Sequence, residues 1–226
     1  FYKNKFLPNS KLNFAENLLS KNNKDKAITF ISENSFREER GWQELNLNVS
    51  KISKFLKSIN IKEKDRVAAY MPNTIETVEA FIASSSLGAI WSSCSPDFGV
   101  KGVVERFSQI SPKVLFVVDK YFYNGKIINI LERIPLILKE IPSIEYVVIA
   151  NYPGEKYLKN KYSYKKVKVL KWNELMKKES EKIQFSKFDF EQDLAILYSS
   201  GTTGKPKCIC HRSGGVLLQH KKEHQL

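Results

Sequence analysis

One stretch near the end of the chain decides its fold: Asp193-Leu194-Ala195-Ile196-Leu197-Tyr198-Ser199-Ser200-Gly201-Thr202-Thr203-Gly204-Lys205-Pro206-Lys207. The first five residues are mostly apolar and predict a buried strand. The remaining ten supply hydroxyls, two glycines and two ammonium groups. Glycines let the backbone turn sharply and approach a ligand closely, and successive N–H groups beside lysines form a concavity that binds anions. The pattern therefore predicts a strand that leads into a polyphosphate-binding loop.

Two other interpretations of this loop fit less well. A Walker A loop has four residues between its glycines and Lys-Ser or Lys-Thr after the second. Here two residues separate Gly201 from Gly204, and Pro206 follows Lys205. A flexible surface linker rich in serine and glycine has no reason to follow a strand or to end in Pro-Lys.

Upstream of this stretch, apolar runs alternate with helical patterns. Short runs at residues 66–71, 89–93, 114–119 and 146–150 are rich in valine, isoleucine or aromatic residues and predict strands. Strands that alternate with helices predict βαβ units and a mainly parallel sheet. The predicted fold class is therefore α/β.

The helical patterns carry their own start and stop signals. Asn73, with Glu76 three residues later, predicts a capping box, and Gly88 predicts the end of that helix. Asn60 is expected to end an earlier helix in the left-handed conformation. A further helix is predicted from Lys126, with Pro135 interrupting it.

Composition limits the function classes. The chain has 226 residues and a net charge of +13, which comes from 31 lysines and 6 arginines against 24 acidic residues. A lysine-rich nucleic-acid-binding module is the alternative from another class, but arginine forks, which recognise phosphates and bases well, are scarce. Lysines and tyrosines interleave over residues 156–171 and could stack on a single strand, although the turn signal at 151–154 favours a solvated insertion. We expect no nucleic-acid partner.

The cysteines and the hydropathy of the chain limit where in the cell the protein is expected. Cys94, Cys208 and Cys210 do not suggest a disulfide framework, so we expect a reducing compartment, the cytoplasm. Cys208, Cys210 and His211 lack the spacing of a structural zinc site, and no metal site is predicted. No apolar run reaches about 18 residues, so no membrane span is expected. Phe1 is not an initiator methionine, and the chain is expected to be a piece of a longer protein.

The loop resembles the phosphate loop of the adenylate-forming superfamily, which includes acyl-CoA synthetases, luciferases and peptide-synthetase adenylation domains. That family's pattern is Ser/Thr-Ser/Gly-Gly-Ser/Thr-Thr-Gly-x-Pro-Lys, and residues 199–207 meet every specified position. Residues 11–19 look like the opening of short-chain acyl-CoA synthetases, and residues 87–99, 123–126 and 214–220 resemble acetoacetate–CoA ligases. One departure is Lys62-Glu63-Lys64, where relatives often have a Pro-Gly turn.

The resemblance implies a two-step ligation of acetoacetate, ATP and CoA, in which an acyl-adenylate forms first and CoA then displaces AMP. Acetate or propionate is the alternative acid. Lys207 is the implied charged clamp for pyrophosphate, with Mg²⁺ sharing the charge, and Lys205 occupies a variable position. The implied contacts to the ATP phosphates come from Ser199, Ser200, Gly201, Thr202, Thr203, Gly204 and Lys207.

The resemblance also implies a CoA contact and a domain layout. In acetyl-CoA-type relatives an Arg-x-Gly-Arg segment contacts the nucleotide part of CoA, and the matching residues here are Tyr123, Asn124, Gly125 and Lys126. Residues 1–20 are expected to end an N-terminal segment. Residues 21–226 are expected to form the first part of an AMP-binding domain that continues beyond the phosphate loop, without the acyl pocket or the adenine motif.

Overall fold

The computed structural model describes residues 6–158, 163–180, 182–199 and 204–225. The strands are β1 (Lys11–Leu12), β2 (Lys26–Ile31), β3 (Arg37–Gly41), β4 (Arg66–Tyr70), β5 (Ile90–Cys94), β6 (Val114–Val118), β7 (Lys120–Tyr123), β8 (Lys126–Asn129), β9 (Tyr146–Ala150), β10 (Lys168–Lys171), β11 (Phe188–Asp189), β12 (Asp193–Ser199) and β13 (Lys207–Arg212). The helices are α1 (Phe14–Leu18), α2 (Trp42–Ser58), α3 (Ile75–Ser86), α4 (Val100–Phe107), the 3₁₀ helix η1 (Leu131–Arg133), α5 (Ile134–Glu140), α6 (Trp172–Met176) and α7 (Ser213–Gln225).

A seven-stranded sheet organises these elements in the order β10-β9-β6-β4-β5-β12-β13. Every neighbouring pair from β10 to β12 is parallel, and β13 alone in this sheet runs antiparallel to its neighbour. The four runs predicted as strands are β4, β5, β6 and β9. The α/β class with a mainly parallel sheet is confirmed.

Strand β4 lies in the middle of the sheet and sets its topology. Its residues Val67 to Tyr70 are 0% exposed, and it pairs in parallel with β5 on one side and β6 on the other. The chain passes from β4 to β5 and then crosses back over β4 to reach β6. Because strand order reverses there, a crevice is expected outside the carboxyl ends of the strands, where open α/β sheets bind ligands.

Two helices end as the sequence predicts. Asn60 has φ 60° after α2, and Gly88 has φ 70° after α3. In both cases the N–H of the left-handed residue and that of the residue after it donate to carbonyls of the last turn, as in a Schellman motif. A Cβ atom at Gly88 would also lie 2.7 Å from the Phe188 ring, so both conformation and space require glycine.

The predicted capping box at the start of α3 is wrong. The N-cap is Thr74, one residue after Asn73, and its side chain makes no capping hydrogen bond. The Thr74 hydroxyl instead lies 3.4 Å from that of Thr77. Asn73 is exposed and stands outside the helix.

The helix predicted from Lys126 is also wrong. Residues 120–129 form the hairpin β7–β8, and its turn residues Asn124 and Gly125 have φ 51° and 70°. Two consecutive left-handed residues match a type I′ turn, for which Asn-Gly is the strongest sequence signal. Pro135 lies in the first turn of α5 rather than interrupting a helix.

Strand β12 is present where predicted, but it is less buried than its sequence indicates. Leu194 is 3% exposed, whereas Leu197 is 48% exposed. Leu197 pairs with Ile209 of β13, which is 46% exposed. These two side chains share one face of an antiparallel pair at the end of the sheet, and that face is open to solvent.

We expect Lys64→Gly to stabilise the chain by about 1 kcal/mol, since a side chain in the left-handed region costs roughly that much. Lys64 has φ 67°, and its N–H donates to the Gly88 carbonyl at 2.9 Å, which fixes the backbone there. Urea unfolding measures the change. Lys64→Ala is the control, because it removes the charge and retains the Cβ atom. A gain from alanine that equals the gain from glycine would contradict the backbone explanation.

Candidate functional site: the carboxyl edge of the sheet

The two ends of the predicted phosphate loop lie side by side. Ser199, the last residue of β12, pairs with Lys207, the first residue of β13. Gly204 has φ 98°, a conformation that favours glycine. Ser200, Gly201, Thr202 and Thr203 lie outside the described residues. The antiparallel pair thus brings the two ends of the phosphate loop together at Ser199 and Lys207, and Lys207 is exposed.

The register of the sheet places this loop beside another one. In the parallel pair β5–β12, Ala195 is opposite Trp91. Counting four residues forward on each strand brings Ser199 level with Ser95, the first residue after β5. Residues 95–99, the 95–99 loop, therefore leave the sheet next to Ser199, where the phosphate loop begins.

Helix α4 contacts both loops. The guanidinium carbon of Arg106 lies 4.1 Å from the centre of the Phe98 ring and 5.7 Å from that of Tyr198, a cation–π geometry. Gln109, just after the helix, donates from Nε2 to the Pro206 carbonyl at 2.9 Å. The helix therefore holds the 95–99 loop at one point and the phosphate loop at another.

The base of the loop is also fixed from inside the sheet. The Ser92 hydroxyl donates to the Ile196 carbonyl at 2.9 Å and lies 3.1 Å from Tyr198 Oη. Burial raises the pKa of Tyr198 well above its ordinary value, so the phenol is neutral at physiological pH. Trp91, 6% exposed, packs between Phe81 and Phe116 in the core.

The residues expected to contact CoA lie elsewhere on this edge. The tip of the β7–β8 hairpin is formed by Tyr123, Asn124, Gly125 and Lys126. This hairpin follows β6 in the chain. In the sheet, β4 and β5 lie between β6 and β12, the strand that leads into the phosphate loop. The N–H groups of Asn124 and Gly125 both donate to the Glu33 carboxylate, at 2.9 and 2.8 Å. The anion-binding capacity of this turn is therefore taken by a side chain of the protein, and the CoA contact stays a prediction.

The cysteine and histidine residues of β13 are not grouped. Among the residues that the structure describes, no cluster of three histidine, cysteine, aspartate or glutamate side chains could hold a metal ion. Cys94, Cys208 and Cys210 are free thiols. Burial, and then the neighbouring Asp193 carboxylate, raise the pKa of Cys210 to about 12, so this thiol is protonated at neutral pH.

Two tyrosines of the lysine-rich stretch face inward. Tyr157 and Tyr164 pack against the main core, and Tyr157 donates to the Ile149 carbonyl at 3.3 Å. Residues 159–162 of this stretch lie outside the described residues. Rings packed in this way are not presented for stacking on bases, and the absence of a nucleic-acid partner stays a prediction.

A lysine-lined cavity of about 770 Å³ lies at the opposite edge of the sheet. It adjoins Lys113, which directly precedes β6, and the turn before β4, so it faces the amino ends of the strands. The cavity is therefore separate from the phosphate loop, which leaves the carboxyl end of β12. Its lysines are Lys54, Lys57, Lys62, Lys113 and Lys182.

Sequence reasoning missed Arg106 and Gln109. Arg106 lies in α4, the helix that follows β5, and Gln109 lies just after that helix. In a βαβ unit the helix after a strand starts at the carboxyl edge, which was a usable signal for Arg106. Gln109 reaches a residue 97 positions away, and no local pattern encodes that contact.

None of the helices in the described ranges has the length and apolar character needed to cross a bilayer.

Known proteins match this chain over nearly its whole length. Acetoacetyl-coenzyme A synthetase of Rhizobium meliloti (strain 1021) is 41% identical over 98% of the chain and 33% of the relative. Acetoacetyl-CoA synthetase of Mus musculus is 39% identical over 96% of the chain and 33% of the relative. Malonamoyl-CoA synthetase of Penicillium aethiopicum is 40% identical over 96% of the chain and 31% of the relative.

A solved structure and a family description agree with these relatives. The structure of acetoacetyl-CoA synthetase from Streptomyces lividans superimposes with a TM-score of 0.88 and 31% identity, covering 98% of this chain and 33% of that one. The chain thus spans about a third of the length of the relatives it matches. The description of AMP-binding enzymes matches residues 18–224, and the chain belongs to the AMP-binding enzyme family.

Proposed function

We propose that this chain is the phosphate-binding part of an acid–CoA ligase that joins acetoacetate to CoA with ATP. The observation that carries the proposal is the complete loop pattern at residues 199–207, closed between two adjacent strands at the carboxyl edge of a parallel sheet. Residues 1–20 end an N-terminal segment in this proposal. Residues 21–226 form the first part of the AMP-binding domain.

The proposed reaction has two steps because a carboxylate is a poor electrophile. A carboxylate oxygen of the acid first attacks the α-phosphorus of ATP, and the bond to the leaving pyrophosphate breaks. The sulfur of CoA then attacks the acyl carbon, AMP leaves, and the thiol proton goes to solvent or to a base. Charge on the leaving pyrophosphate is stabilised by donors that are already in place.

Lys207 is the proposed cation for that charge. It ends the loop, is exposed at its base and pairs in register with Ser199, so its ammonium group can approach phosphates held by the loop. The hydroxyls and N–H groups of Ser199 to Gly204 supply the other contacts. ATP is expected as its Mg²⁺ complex, so the ion arrives with the nucleotide; the described residues provide no acidic cluster that would hold it separately.

The identity of the acid is supported by chemistry that two relatives share. Acetoacetate and malonamate, the acids in their names, both carry a carbonyl group two bonds from the carboxylate carbon and differ by a methyl in place of an amino group. This chain matches the acetoacetyl and the malonamoyl synthetases almost equally, at 41% and 40% identity. We therefore favour a short acid with a 3-carbonyl group over acetate or propionate.

CoA and cellular location complete the proposal. The hairpin tip with Tyr123 and Lys126 remains the proposed CoA contact, through side chains rather than the turn N–H groups that Glu33 occupies. Three free thiols suit a reducing compartment such as the cytoplasm.

The longer protein that contains this chain tests the proposal. We expect acetoacetyl-CoA, AMP and pyrophosphate to form in equal amounts from acetoacetate, ATP and CoA, with acetate and propionate used much less efficiently. Mass spectrometry of the thioester and a nucleotide assay measure this. Formation of ADP and phosphate, or a preference for acetate, would contradict it.

The isolated chain should not catalyse acetoacetate-dependent ATP–pyrophosphate exchange. It spans about a third of its relatives, and the acyl pocket and adenine motif are expected beyond Leu226. Exchange is measured with labelled pyrophosphate, and the longer protein is the positive control. Exchange by the 226-residue chain would show that the acid and the adenine bind within it.

In the longer protein, Lys207→Ala should slow adenylate formation by about 10²–10³-fold, as expected for loss of one electrostatic contact to the developing charge. Thioester formation from supplied acyl-AMP should change little, because pyrophosphate is absent from that step. Lys205→Ala is the matched control and should cost much less. Equal losses in the two steps, or a larger effect at Lys205, would assign the clamp role to another residue.

A further inference from the structure

A buried polar cluster stands over the carboxyl end of β4, at the point where strand order reverses. Tyr70, the last residue of β4, is 0% exposed, and its hydroxyl donates to the Phe98 carbonyl at 2.5 Å and lies 3.1 Å from the Pro96 carbonyl. Arg133, the last residue of η1, donates from one terminal nitrogen to Tyr70 Oη at 2.6 Å. The same nitrogen lies 2.9 Å from the Pro96 carbonyl and 3.2 Å from that of Phe98.

Protonation fixes the direction of these hydrogen bonds. Burial raises the pKa of Tyr70 above its ordinary value despite the adjacent guanidinium. The phenol therefore keeps its proton and donates it to a loop carbonyl, while Arg133 donates to the phenol oxygen. Two donors and two backbone acceptors are satisfied together, and this defines one position for the 95–99 loop.

A third side chain holds the same loop from β7. The Tyr121 hydroxyl donates to the Asp97 carboxylate at 2.9 Å, and the Ser95 hydroxyl donates to the other carboxylate oxygen at 2.7 Å. Tyr121 is 6% exposed. Both the backbone and the acidic side chain of the loop are therefore bonded from the side of the sheet that lies away from β12.

The opposite side of the loop faces the phosphate-loop strand. Phe98 stacks on Arg106, and Arg106 also faces the ring of Tyr198, the residue before Ser199. Contacts thus run without a break from Arg133 through the 95–99 loop and Arg106 to the base of the phosphate loop. Of the hydrogen bonds in this series, those donated by Arg133 carry a full positive charge on the donor, and such bonds are stronger than neutral ones.

We propose that Arg133 is a positioning residue for adenylate formation, which acts through Tyr70 and the 95–99 loop to set the base of the phosphate loop. This inference rests on the proposed function. Without the Arg133 donor, the Tyr70 hydroxyl and the two loop carbonyls each lose a hydrogen bond. The 95–99 loop is then expected to shift, and Arg106, which stacks on Phe98, to shift with it. A displacement of about 1 Å in a reacting group costs up to 10²-fold in rate.

The test uses the longer protein and measures the two half-reactions separately, at a temperature where every variant is folded. Arg133→Met should slow acetoacetate-dependent ATP–pyrophosphate exchange by about 10–100-fold and leave thioester formation from supplied acyl-AMP nearly unchanged. Arg133→Lys should recover most of the rate, since an ammonium group has three N–H donors at one nitrogen. Arg37→Met, at an exposed pair with Glu39 on the β2–β3 hairpin, is the matched control and should have no effect.

Several results would overturn the proposal. Equal losses in the two half-reactions, an unchanged rate for Arg133→Met, or a lysine variant as slow as the methionine variant would each do so. If Arg133→Met does not fold, Tyr70→Phe carries the test, because it keeps the ring and removes the hydroxyl, and it should show the same selective loss. An effect of Lys207→Ala without one of Arg133→Met rejects this inference alone, whereas an inactive wild-type protein rejects the proposed function.

Discussion

The parallel pairing of β4 with both β5 and β6 is the constraint on which the rest of the structure depends. Val67 to Tyr70 are 0% exposed, and a shift of register by one residue would move each of these side chains to the opposite face of the sheet. The fixed register puts Tyr70 at the carboxyl edge, between the loops that follow the neighbouring strands. The reversal of strand order around β4 then opens the crevice in which ligands of such sheets bind.

The chemistry proposed for this edge depends on loops that are held by ordered neighbours. The phosphate loop is closed by the β12–β13 pair and contacted by Gln109, and the 95–99 loop is bonded by Tyr70, Arg133 and Tyr121. Loops on a rigid scaffold can place charged groups accurately while their sequences vary. Relatives named for different acids match this chain at similar identity, 41% and 40%.

Much of this architecture could be predicted from the sequence because local signals agreed with tertiary structure. β-Branched runs marked the buried strands, and Asn60 and Gly88 marked helix ends where a left-handed residue is required. The hairpin at residues 120–129 was missed because Ile127, Ile130 and Ile134 fit helical spacing, and the Asn-Gly turn signal was not used. The exposure of Leu197 was missed because an apolar run does not reveal what covers it.

The candidate site was predictable only in part for a related reason. The loop pattern is contiguous, so its order was visible, whereas Arg106, Gln109 and Arg133 act through contacts between segments far apart in the chain. Arg133 meets Tyr70 across 63 positions, and no local pattern specifies that pair. Such residues become visible only once the sheet topology brings the loops after β5 and β12 together.

A crystal structure of the longer protein with a non-hydrolysable ATP analogue would show where the phosphates bind. We expect the β- and γ-phosphates within hydrogen-bond distance of the loop N–H groups and of Lys207, beside the 95–99 loop. Phosphates bound instead in the lysine-lined cavity at the amino edge of the sheet, or at the carboxyl edge without contact to Lys207, would contradict this expectation.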